Sequence, residues 1–159
     1  MVLGLPGLRL LHEGQLSGAR NFTRVQFGRR PTEPDDPQIS AFYDQLLTLL
    51  GQTAVGHGAG EVLPPRPAWA DNPTAQNFVI VQWQLVPPEF DLVVVNLAPH
   101  RSQCRVSPTA PALAGRAWQM RDLLGSETYQ RDGTDLEHHG LYLDLPAHGA
   151  QLFHFQPVA

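Results

Sequence analysis

The chain has 159 residues, 42% of them hydrophobic and 16% charged, with a formal net charge of -4 and a pI near 5.9. That length fits one domain with at most an appendage, and the composition is that of a folded globular protein rather than a disordered one. The acidic balance argues against nucleic acid, which binds basic faces, and no apolar run approaches the roughly 20 residues a membrane-spanning helix needs.

The opening MVLGLPGLRLL lacks a basic start and a full-length apolar stretch, so no signal peptide is read there. Leu8 to His12 form a short apolar run between Pro6-Gly7 and Gly14, which predicts a buried strand. From Ser17 to Pro37 the chain is polar and rich in Arg, Pro and Asp. Its prolines remove backbone donors and disfavour helix in the residues before them, so a loop is expected. The segment DPQISAFYDQLLTLLG reads as a helix, with Asp36 as cap, Pro37 in the first turn and Gly51 closing it. Ile39, Phe42, Tyr43, Leu46, Leu47, Leu49 and Leu50 recur at helical spacing and predict one broad buried stripe.

Beyond Gly51 the texture is that of a linker, with a short strand over Glu61 to Leu63. NFVIVQWQL and FDLVVVNLA follow, separated by VPPE, and predict a hairpin with Pro87 and Pro88 in its turn. Further strands are expected over Gln103–Ser107, Ala117–Asp122, Leu141–Leu145 and Ala150–Phe155. In the third of these Leu141, Leu143 and Leu145 face one way, Tyr142 and Asp144 the other. Short spacings, Gly- and Pro-bearing turns and no intervening helical period imply a mainly β fold. The expectation is an antiparallel Greek-key β-sandwich of about seven or eight strands, preceded by the short strand, the Pro-rich loop and the one amphipathic helix.

Chemistry-bearing clusters are sparse. LEHHG places Glu137, His138 and His139 in a row, but adjacent residues share no face, and no HExxH or paired-Cys spacing adds ligands. A solvated turn is the expectation there, with no metal. RDGTDLE lacks the full pattern of a calcium loop, and its Asp-Gly reads as a turn. Cys104 is the sole cysteine, which excludes an internal disulfide and makes a reducing cytoplasm the default; it reads as a small buried apolar side chain, with a Cys–His nucleophile pair as the sharper alternative. There is no G-x-S-x-G elbow, P-loop or dinucleotide fingerprint, and no cofactor is expected. Trp69, Trp83 and Trp118 are candidates for stacking on sugar rings, although a Trp in a sandwich more often serves the core.

Taken in order, these pieces resemble the C-terminal part of alpha-amylase-family glycoside hydrolases. Trp118 to Leu124, Tyr129 to Gly133 and Gly140 to Pro146 are similar to that family's W-x-L-x-D-L-L strand and to the Y-x-R-D-G and G-L-Y-L-D-L-P motifs that follow it. FDLVVVNLAPHRSQCRV resembles its L-x-V-V-N-x-A-x-x-x-S-Q-x-x-V hairpin, with Asn96 and Gln103 in register. PGLRLLHEGQ is similar to the last strand of the catalytic barrel, with Gly7 and Gly14 at the family's spacing, Arg9 in place of a proline, and Gln15 one place before the usual acid. The loop and helix up to Leu50 look like the elements that pack the barrel onto the sandwich.

The resemblance implies two parts: residues 1–52 as a remnant of the catalytic (β/α) barrel, and residues 53–159 as the C-terminal sandwich. His12, Glu13 and Gln15 would then be a barrel-rim motif. The family's nucleophile, acid/base and second acid lie on earlier barrel strands that are not in this sequence. The reaction needs two carboxylates flanking the scissile bond, so the chain is expected to be inactive alone. Its expected role is non-catalytic, stabilising the barrel of a larger enzyme as a separate or split piece. The expected partners are that barrel, an alpha-glucan, and a second copy paired through the orphan strand at Leu8 to Leu11, with neither nucleic acid nor membrane. Two alternatives stand beside it: a stand-alone alpha-glucan-binding module, and a small metal-dependent enzyme built on Glu137 and His138.

Overall fold

The computed structural model describes residues 1–21, 28–29 and 32–158. These form two compact units, Met1–Gly7 with Thr53–Ala159, and Leu8–Gln52. The first is a β-sandwich of eight strands. β1 (Ala59–Leu63), β2 (Phe78–Gln84), β3 (Phe90–Asn96), β5 (Ala117–Asp122), β6 (Thr128–Asp132) and β8 (Ala150–Pro157) form one sheet in the order β1-β2-β3-β8-β5-β6. β4 (Ser102–Val106) and β7 (Leu141–Leu145) form the second, and every pairing is antiparallel. The mainly β sandwich expected from the sequence is therefore present.

Period-two alternation builds the core between the layers. Cys104, Val106, Leu141, Leu143 and Leu145 from the small sheet meet Ile80, Leu92, Val94, Phe153 and Phe155 from the large one. Phe90 stacks on Phe155 with ring centroids 4.5 Å apart and leans on Trp118 at 5.5 Å. Asn96, at the end of β3, is fully buried yet satisfied: its side-chain amide donates to the carbonyls of His100, Leu145 and Pro146, and its oxygen accepts from Ala98 N–H. It thereby ties the end of the large sheet to the end of β7.

All seven residues of β3 are buried, which alternation alone does not explain. The outer face of the large sheet is covered as well. A 3₁₀ turn at Val2–Gly4 lies on it, so close that a Cβ on Gly4 would sit 2.7 Å from Val93 Cγ1, and the Gly4 carbonyl accepts from Trp83 Nε1 at 2.9 Å. A strand buried on both faces becomes a continuous apolar run, and FDLVVVN is one.

Two elements differ from expectation. Thr128–Asp132 is a strand, β6, at the edge of the large sheet, paired with β5. Between the Asp-Gly and EHH stretches, Gly133–His138 forms a helix, α3, rather than turns, with Asp132 as its N-cap and His139 as its C-cap. Asp132 caps it by accepting from Asp135 N–H at 2.9 Å, and Leu136 anchors it in the core.

The second unit holds α1 (Glu13–Leu16) and α2 (Pro37–Gly51). Asp36 caps α2 by accepting from Gln38 and Ile39 N–H, with Pro37 in the first turn. Gly51 is its last residue and Gln52 follows as the C-terminal cap. Asp36 N–H donates to the Ser17 carbonyl, and Ser40 Oγ to the Leu16 carbonyl, which join the two helices. The middle of the Ser17–Pro37 segment lies outside the described residues.

Two expectations fail in this unit. Leu8 to His12 belongs to no sheet, and no strand lies beside it among the described residues; Leu8 is 99% exposed and Leu10 81%. The stripe on α2 is contiguous but largely uncovered. Only Leu50 is buried, while Ile39, Phe42 and Leu47 are exposed, Phe42 by 54%. The four-residue α1 is too short to cover a fifteen-residue helix.

Candidate functional site

The residues singled out from the sequence separate by place and by role. His12 and Gln15 belong to a capping box. The His12 ring accepts from Gly14 N–H at 3.2 Å, and Gln15 Oε1 accepts from His12 N–H at 2.8 Å, with Glu13 as the first helical residue. The polar atoms that made HEGQ look like the rim of a catalytic site thus close a helix terminus.

Trp118 is wholly buried against Phe90 and donates from Nε1 to the Leu113 carbonyl at 2.9 Å. Trp83 is buried on the opposite face of the same sheet. Neither offers a ring face to a sugar, because both rings are covered by protein. Trp69, 52% exposed in the loop before β2, is the one tryptophan with an accessible face.

The Cys104 thiol is buried between the sheets, and burial pushes its pKa up to about 12. It is therefore protonated at neutral pH, which removes the Cys–His nucleophile reading. In the EHH stretch, His139 Nδ1 meets Asp135 Oδ1 at 2.7 Å, one helical turn away, and all three of Glu137, His138 and His139 are exposed. Among the described residues no group of three His, Cys, Asp or Glu side chains is placed to hold a metal ion.

One polar cluster had no signal in the sequence. Asp91 on β3 is 2% exposed and uses both carboxylate oxygens. Oδ2 accepts from Ala54 N–H at 2.6 Å, and Oδ1 lies 2.8 Å from His154 Nδ1 on β8, the residue directly opposite. Glu89 Oε2 stands 3.9 Å from His154 Nε2. The partners are far apart in sequence, and only the β3–β8 register brings them together. The cluster straps the Thr53–Val55 segment onto the outer face of the sheet.

The hydrogen bond to Asp91 raises the His154 pKa, aided by the charges of Asp91 and Glu89 and opposed by burial and Arg121. Stability from a raised histidine is fully present below the ordinary value near 6.5 and is lost as pH rises through the folded value. Unfolding free energy measured with urea at about pH 6 and about pH 9 is expected to be lower at the higher pH. His154→Gln is expected to flatten that part of the difference; an unchanged difference would show that another group carries it.

No family model matches the sequence, and no curated protein matches it. Solved structures with a partial likeness include three glycosidases. A variant of a GH27 β-L-arabinopyranosidase from Geobacillus stearothermophilus, in complex with arabinose, is 19% identical with a TM-score of 0.40, over 60% of this chain and 20% of its own. Alpha-galactosidase I from Mortierella vinacea is 16% identical with a TM-score of 0.39, over 58% and 23%. A candidate α-N-acetylgalactosaminidase from Bacillus halodurans C-125 is 12% identical with a TM-score of 0.47, over 74% and 25%. The chain spans a quarter or less of each, none is named an alpha-amylase, and likeness at this level carries no argument about function. No helix among the described residues is long and apolar enough to cross a membrane.

Proposed function

We propose that this chain is the supporting sandwich of an alpha-amylase-like glycoside hydrolase, non-catalytic itself, acting in the cytoplasm by packing against the enzyme's barrel. The order of the strand motifs in the sequence supports the family, and Greek-key connections belong to the same reading. The observation that carries the role is the uncovered apolar surface of the Leu8–Gln52 unit. Leu8, Leu10 and the α2 stripe expose large side chains that a finished surface would cover. The barrel is the occupant this reading assigns to that surface; a second copy paired along Leu8 to Leu11 is the form expected when the barrel is missing.

The test is a Phe42→Glu, Leu47→Glu double substitution. If that face is finished by another body, the chain's own unfolding free energy should move by no more than about 0.5 kcal/mol, as for an ordinary surface change, while self-association in light scattering falls. A loss of about 2 kcal/mol or more would mean that the stripe belongs to the chain's own core. A sugar-binding reading also has one observation behind it, the open face of Trp69.

A further inference from the structure

The outer face of the small sheet departs from an ordinary rule of sheet design. Arg66 joins the edge of β4 by two reciprocal backbone hydrogen bonds with Arg105, each 2.8 Å, so the two arginines are directly opposite. Arg105 is in turn paired with Tyr142 on β7, which gives a row Arg66–Arg105–Tyr142 on one face. Like charges directly opposite destabilise a sheet, and such pairs are normally separated or neutralised. Arg101 on the same face is neutralised, by a bidentate bond to Asp144 at 2.8 and 2.7 Å.

Arg66 and Arg105 have no such carboxylate among the described residues. Arg66 Nη2 donates to Ser107 Oγ at 2.7 Å, and Arg105 Nη1 donates to the carbonyls of Gly140 and His139 at 3.2 and 3.4 Å. Both guanidinium groups converge on Gly140, whose φ is +74° and where a Cβ would lie 2.9 Å from Arg66 Nη2. The nearest obstacle to a Cβ there is the Val106 backbone oxygen at 2.6 Å, so Gly140 is fixed by its backbone surroundings, with both arginine side chains reaching its vicinity. Tyr142, 47% exposed, has the Arg105 guanidinium 5.8 Å from its ring centroid and so borders the same spot.

We propose that Arg66, Arg105 and Tyr142 form a binding site for a pyranose sugar that carries a phosphate or a carboxylate. Paired guanidinium groups match the oxygens of either anion and compensate the repulsion that the bare sheet tolerates. The Arg105 guanidinium stands over the half-exposed tyrosine ring, and the part of the ring left exposed is the apolar surface this proposal assigns to the sugar. The anion seat is argued from the register that sets the two arginines opposite each other; the sugar half rests on the carbohydrate reading above.

Titrations of the intact chain with glucose 6-phosphate, glucuronate, glucose and inorganic phosphate, followed by nuclear magnetic resonance, separate these parts. The two anionic sugars are expected to bind in the millimolar range and more weakly as salt rises, with glucose alone not binding. Inorganic phosphate should bind about threefold or more less tightly than glucose 6-phosphate. Arg66→Gln or Arg105→Gln should weaken both anionic sugars at least about tenfold, and Tyr142→Ala should bring glucose 6-phosphate down to the level of phosphate. Removing one of two opposed charges should leave the unfolding midpoint of Arg66→Gln unchanged or raised, which keeps a misfolded variant from imitating lost binding. Absence of binding by either sugar at about 10 mM, or binding indifferent to both arginines, would overturn the site. Phosphate binding as tight as glucose 6-phosphate would overturn its sugar half and leave the anion seat alone.

Discussion

Trp118→Ala is expected to destabilise the sandwich by about 3–5 kcal/mol, a large share of the roughly 5–15 kcal/mol that holds a domain of this size together. Trp118 has no solvent exposure and lies where β5 meets the Phe90–Phe155 stack. Truncation leaves a cavity walled by aromatic rings that are themselves fixed by both sheets, so little collapse can fill it. Trp118→Phe separates the two contributions. It keeps most of the packing but leaves the Leu113 carbonyl without its donor, at an expected cost of about 1–3 kcal/mol. In urea unfolding both variants should lower the midpoint with the slope unchanged. A Trp118→Ala loss below about 1 kcal/mol would show that the tryptophan is not the keystone of this core.

Gly133→Ala is the second large effect. Gly133 begins α3 and donates to the Arg116 carbonyl at 2.9 Å. A Cβ there would sit 1.8 Å from the Leu113 carbonyl oxygen and 2.9 Å from that of Arg116. Both obstacles are backbone, so no side chain can swing aside. An expected loss of about 3 kcal/mol or more follows, at the upper end of overpacking effects. The Leu113 oxygen is also the acceptor for Trp118, so moving it away from an alanine breaks the tryptophan's hydrogen bond as well. Gly133→Ala and Trp118→Phe should therefore be less than additive in a double-mutant cycle. Strict additivity would show that the two sites do not share that carbonyl.

Seven of the eight strands were legible in the sequence, most clearly those with a strong apolar signal. NFVIVQWQL, FDLVVVNLA and GLYLDL each carry alternation or a β-branched run, and β2, β3 and β7 lie within or on them. β6 was missed because TYQRD is an edge strand with a single apolar residue, Tyr129, turned toward the core. α3 was missed because six residues with Leu136 as their one large apolar side chain carry too little helical period to read.

The strand assigned to Leu8 to His12 failed for a different reason. Composition reports what a segment would do beside a partner, and here no partner strand is present among the described residues. The same holds for the stripe on α2: the spacing predicted the helix and its apolar face but not what covers that face. The strap of Asp91 and His154, and the row of Arg66, Arg105 and Tyr142, depend on strand register between distant segments. Of the candidate site residues, HEGQ was chemically legible in another sense, since a polar cap followed three residues later by Gln is a helix-start pattern.

The central claim is that this sandwich and its appended helices support a glycosidase without performing its chemistry. The most direct measurement is hydrolysis of α-glucans by the purified chain at high protein concentration. On the proposed reading the expected result is no turnover above buffer, because glycoside hydrolysis needs two carboxylates flanking the scissile bond and that reading assigns them to the separate barrel. Turnover that co-purifies with the chain and falls on Trp118→Ala unfolding would contradict the account.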